Sequence, residues 1–161
     1  MGARRAFFAP VVFILGIWGG VSLGQQSHPF VGSWILNLEK SKFEGLPPLR
    51  SETWVVTAEK DGLLRSVIDW VEADGTPGHV EYLSACDGKV YPIQGSSDFD
   101  AVKYDQLGPR EFRSVLLKQR QVVEREHYVA SKDGNTWWDT DRGNDKQGKP
   151  WTFHLVLERR H

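Results

Sequence analysis

The sequence predicts an all-β fold, an antiparallel up-and-down β-barrel of about 8–10 strands. Three observations carry that prediction. Apolar and polar residues alternate with period two along most of the chain after residue 45. Asp-Gly or Gln-Gly pairs punctuate the alternating runs at Asp61-Gly62, Asp74-Gly75, Asp87-Gly88, Asp133-Gly134 and Gln147-Gly148. Such pairs tolerate the positive φ that tight hairpin turns require. No stretch has the 3.6-residue periodicity of an amphipathic helix of ordinary length.

The elements follow in order. Residues 1–24, "MGARRAFFAPVVFILGIWGGVSLG", carry Arg4 and Arg5, an apolar run from Ala6 to Ile17 and small residues before Gln25. This is the pattern of a cleaved secretory signal, and the run is short for a membrane span. The expected location is extracytoplasmic, in the periplasm or secreted, with no stable membrane insertion once the signal is removed. Residues 25–161 then form one domain, large enough for its own core. "SWILNL" opens it as a strand, and "LEKSKFEG" followed by Pro47-Pro48 is too short and too interrupted for a helical lid. "SETWVVTAE", "LLRSVIDWVEA", "HVEYLSA", "KVYPI", "DAVKYDQL", "REFRSVLLK", "QVVEREHYVA", "NTWWDTD" and "WTFHLVLERR" supply the remaining strands, rich in β-branched and aromatic residues.

Charge and cysteine content narrow the function. The leader holds two of the 20 basic residues and none of the 21 acidic ones, so the mature chain has 18 basic and 21 acidic side chains, net −3. That balance excludes a general nucleic-acid binder, and there is no basic block for an anionic membrane. Cys86 is the single cysteine, so no internal disulfide can form and the core alone must hold the fold. Gly-x-Ser-x-Gly, P-loop, dinucleotide-binding and His-Glu-x-x-His patterns are absent, and no catalytic residue, metal site or cofactor is assigned.

Several strands carry polar residues on both faces, which suits a barrel around a partly wet cavity better than a dry sandwich. In "VVEREHYV" one face holds Val123, Arg125, His127 and Val129, and the other holds Val122, Glu124, Glu126 and Tyr128. Arg125 and His127 share the valine face. If it points inward they make a cationic spot for a carboxylate or phosphate; the rival reading pairs them with acids on a neighbouring strand. Glu124 and Glu126 then read as a solvent-facing row. Asp139, Asp141 and Asp145 lack the Gly and Glu of a calcium loop, with Asn144 and Pro150 in those places, and read as a charged turn. Trp70 and Tyr82 join Arg125 and His127 as expected ligand-binding residues, because aromatic walls suit flat apolar ligands. Trp137 and Trp138 must point to opposite faces, leaving one near the surface or a rim.

"FVGSWIL", with Gly32-Ser33-Trp34 opening the first strand, and the closing "FHLVLERR" resemble the first and last strands of the calycins, the lipocalins and fatty-acid-binding proteins. "VGSWILNLEKSKF" and "EYLSACDGKVYPI" look like a group of secreted bacterial lipocalin-like proteins without assigned activity. The resemblance implies a barrel with Trp34 as its floor and a basic residue of the last strand across the indole. Alternation of "WTFHLVLERR" makes that residue Arg159 rather than Arg160. The fatty-acid family's helical lid and Arg-x-Tyr anchor are missing, so fatty-acid binding does not carry over. The expected function is a secreted, monomeric, non-enzymatic barrel that binds a small apolar or amphipathic ligand with an anionic group. The alternative is a structural or interaction barrel of the envelope.

Overall fold

The computed structural model describes residues 28–161, so the leader expected at residues 1–24 lies outside the described residues. The strands are β1 (Gly32–Leu36), β2 (Lys42–Glu44), β3 (Ser51–Ala58), β4 (Leu64–Val71), β5 (Pro77–Ser84), β6 (Asp87–Gln94), β7 (Ala101–Gly108), β8 (Glu111–Lys118), β9 (Gln121–Ala130), β10 (Thr136–Asn144) and β11 (Pro150–Arg159). Each pairs antiparallel with its neighbour from β3 to β11, and β1 pairs with both β3 and β11, which closes the barrel and removes its edges. The short β2 follows β1 along the same side of β11, so together they fill one of ten strand positions. Where a helical lid would stand, the chain makes this strand, with Phe43 edge-on to Phe153 at 4.8 Å.

Turn chemistry explains most connections. Gly75, with φ 96°, closes the β4–β5 hairpin as its Asp-Gly pair predicts. Two connections differ from expectation. Asp87-Gly88 is not a hairpin turn: it lies inside β6, where the register with β7 shifts between Asp87 and Val90. The β8–β9 turn is made by Gln119 and Arg120, at φ 50° and 69°, without a glycine to announce it.

The core lies inside the barrel and is layered. One end is packed solid by Phe30, Trp34, Phe112 and Trp137, with Trp34 stacked on Trp137 at 4.2 Å and Phe30 at 4.5 Å from Phe112. Trp34 is fully buried and its Nε1–H donates to the Phe30 carbonyl at 2.9 Å. The Arg159 guanidinium lies over the Trp34 ring at 4.2 Å from its centre. Its Nε donates to the Gly134 carbonyl at 2.7 Å and its Nη1 to the Val31 carbonyl at 2.8 Å. Gly32 makes room for this: its φ is 143°, and a Cβ there would sit 2.0 Å from Arg159 Nη1. Gly-x-Trp therefore reads as one unit, a gap for the arginine followed by the ring it covers.

A carboxylate-lined barrel interior as the candidate functional site

Pairing register decides which face of each strand lines the interior. In β9 the inward row is Glu124, Glu126, Tyr128 and Ala130; Tyr128 is 1% exposed. Arg125 and His127 are on the outer face, which corrects the expectation of a cationic spot inside. His127 Nε2 lies 2.9 Å from Glu111 Oε1, as the rival pairing reading required, and Arg125 stands between Val115 and Arg142 on neighbouring strands. The physical reason is that Tyr128 and Ala130 pack into the aromatic core and carry the glutamate row inward with them, while Val122 and Val123 stay exposed.

The same register corrects β10. Asp139 and Asp141 are strand residues sharing the inner face with Trp137, and only Asp145 belongs to the turn, where its side chain accepts from the Gln147 and Lys149 amides. Trp138 takes the outer face, half exposed. Across the strands Asp141 faces Glu126 and Asp139 faces Tyr128. Glu52 enters from β3 on the inward row it shares with Trp54 and Val56. Five carboxylates thus converge in the upper half of the barrel, above the aromatic floor.

Their environment is low in dielectric and rich in like charge. Among the described residues none of the five forms an ion pair. Burial raises the carboxyls of Glu124, Glu126, Asp139 and Asp141 above their ordinary range, and neighbouring carboxylates push Glu124, Asp139 and Asp141 further the same way. Glu52 is pushed up to about 7, by burial first and then by Glu126 and Glu72. The Ser114 and Tyr128 hydroxyls both donate to Glu126 Oε2, and these two bonds partly offset its burial. Below them Tyr82 and Tyr104 join hydroxyl to hydroxyl at 2.7 Å, so Tyr82 is a buried wall residue. Trp70 is half-buried near the same end as Glu52, lies against Gly78 and donates from Nε1 to Glu72 at 2.6 Å. Trp151 lies similarly against Gly143, the cross-strand partner of Glu124.

A cavity of about 20 Å³ lies lower in the barrel among Phe30, Trp54, Tyr104, Tyr128 and Trp137, enough for about one water. Cys86 lines it, its Sγ 3.7 Å from His28 Nε2, and burial pushes the thiol up to about 11, which lowers its thiolate fraction. Glu52, Glu124 and Glu126 keep partial exposure, whereas Asp139 and Asp141 are buried. The arrangement can therefore accept a compact positive charge more readily than a bulky apolar body. Sequence reasoning missed these acids because alternation gives the partners on a face, not its direction. The available signal was that Asp139 and Asp141 share parity with a tryptophan, and Glu124 and Glu126 with Tyr128.

No protein-family model matches the chain, and no curated protein matches it significantly. Solved structures do. The fluorescent protein UnaG has a TM-score of 0.52 at 10% identity, over 81% of this chain and 97% of that one. An S-type phycobiliprotein lyase from Guillardia theta gives 0.51 at 10%, over 83% and 89%. A DUF3598-family protein of unknown function from Nostoc punctiforme gives 0.53 at 14%, over 83% of this chain but 48% of that one, so the chain spans about half its length. At such identities the likeness establishes the fold: a closed antiparallel barrel of the lipocalin and fatty-acid-binding-protein class, with no α-helix among the described residues.

Proposed function

We propose that this chain is a small-ligand-binding barrel whose interior selects a positively charged ligand. The observation that carries this reading is the inward set Glu52, Glu124, Glu126, Asp139 and Asp141, unpaired with any cation among the described residues. An anionic ligand group, expected while Arg125 and His127 were read as inward, would meet like charge and is replaced by a cationic one. Aromatic walls from Trp54, Tyr104 and Tyr128 remain suited to an apolar portion small enough for the remaining space. An extracytoplasmic location and a monomeric state belong to the same proposal; the leader pattern of residues 1–24 supports the first. The filled lower barrel favours a second reading, an envelope protein that works through its outer surface.

A charge series tests the proposal. Melting temperature is measured with phenethylamine, phenethyl alcohol, phenylacetate and the chlorides of calcium and manganese. A rise with at least one of the cations, and none with the alcohol or the carboxylate, is expected. Stabilisation by phenylacetate alone would overturn the charge preference, and no response to any compound would favour the filled-barrel reading.

A further inference from the structure

One oxygen each from Glu124, Glu126 and Asp141 lie within 4.8 Å of one another. Two of these residues are neighbours on the inner face of β9, and the third is the cross-strand partner of Glu126 on β10. Paired strands hold all three, a more rigid support than a loop. Glu126 is also oriented from behind: Ser114 and Tyr128 both bond its Oε2, leaving Oε1 for a ligand.

A second observation comes from beneath the cluster. Asp139 and Asp141 are 3% and 7% exposed, and Oδ1 of each has no hydrogen-bond partner among the described residues. Buried carboxylate oxygens without donors are costly. The guanidinium of Arg159 is held at the other end of the barrel over Trp34. Among the described residues no cationic side chain pairs with these oxygens.

We propose that Glu124, Glu126 and Asp141 form a binding site for one hard divalent cation of the Ca²⁺ or Mn²⁺ kind, with Asp139 beneath it as a further acidic partner. An all-oxygen carboxylate set suits these ions and not the softer metals that seek thiolate or imidazole. Partial exposure of the two glutamates leaves a route for the ion and room for its remaining waters. The proposal rests on the reading of the barrel as a receptor for positive charge, and it names the ligand of that site.

The test uses the full chain, stripped with chelator and then returned to calcium or manganese chloride. Melting temperature and manganese electron paramagnetic resonance are followed up to about 1 mM, where extracellular calcium modules are occupied. Wild type is expected to gain several degrees with at least one ion and to show bound manganese. Glu124→Gln, which keeps size and shape, is expected to weaken binding at least about tenfold. Glu111→Gln, on the outer face, is expected to leave binding unchanged. No response of wild type to either ion, or an undiminished response in Glu124→Gln, would overturn the site. Stabilisation by phenethylamine without any metal response would overturn the metal site while leaving the cationic-ligand reading intact.

Discussion

Raising the pH of the metal-free protein should destabilise it in a range where most proteins are indifferent. A carboxyl whose folded-state pKa is raised keeps its proton in the native state after the unfolded chain has lost it. The native state then binds more protons, and unfolding free energy falls as pH rises. Glu52 begins that loss near its ordinary 4.5 and completes it near 7, which corresponds to about 3 kcal/mol. Glu124, Asp139 and Asp141 stand well above their ordinary range and carry the fall to higher pH. Each proton retained only by the native state gives a slope of about 1.4 kcal/mol per pH unit. Across the window from about pH 6.5 to about pH 8.5 each pH unit over which one such proton is held costs that amount, roughly 5 °C in melting temperature for a domain of this size.

The window is chosen to isolate the interior. The lowered carboxyls of Asp74, Asp87, Asp105, Asp133 and Glu158 deliver their stability at lower pH. His28, lowered from 6.5 by burial, favours the fold increasingly up to that value and adds nothing above it. Urea or thermal denaturation in chelator, across this range, reads the slope. Glu126→Gln removes a charge that raises Glu52, Glu124, Asp139 and Asp141, and should flatten the curve and stabilise the protein at the alkaline end. A wild-type stability that stays level or rises through the window would show that the interior carboxyls hold no extra protons in the folded state.

Three further outcomes are expected. Gly32→Ala would place a Cβ 2.0 Å from Arg159 Nη1 at a φ of 143°, and urea unfolding should show a loss of about 3 kcal/mol from backbone strain and the displaced cation–π contact; a loss under about 0.5 kcal/mol would deny the arginine its place over Trp34. Tyr82→Phe strands the Tyr104 hydroxyl 2.7 Å from its former partner and should cost about 1–2 kcal/mol by the same method. Cys86, with its thiol pushed from 9.0 to about 11, should react with iodoacetamide at least about 100-fold more slowly in the folded than in the urea-unfolded protein.

How far the sequence leads is clearest at two places. The resemblance to the first and last strands of the calycins implied a basic residue over Trp34, and alternation selected Arg159; strand pairing brings the two together. The reason for glycine at position 32, a Cβ that would sit 2.0 Å from Arg159 Nη1, is a contact between distant parts of the chain that no local pattern reveals. In β9 alternation correctly separated Arg125 and His127 from Glu124 and Glu126 but left open which pair faces the interior. Hydrophobicity was misleading there: Val122 and Val123 are exposed, whereas the glutamates follow Tyr128 and Ala130 into the barrel. Asp139 and Asp141 were hidden by their turn-like company of Asp, Arg, Gly and Asn. Their register against Tyr128 and Glu126 is a non-local property that only strand pairing supplies.

The interior acids are proposed to hold a hard divalent cation. The most direct measurement is a crystal structure of the chain soaked in manganese chloride, with anomalous scattering used to locate the ion. An anomalous peak is expected between Glu124, Glu126 and Asp141, about 2.0–2.6 Å from their oxygens. A structure without that peak, with manganese held only by acids on the outer face, would contradict it.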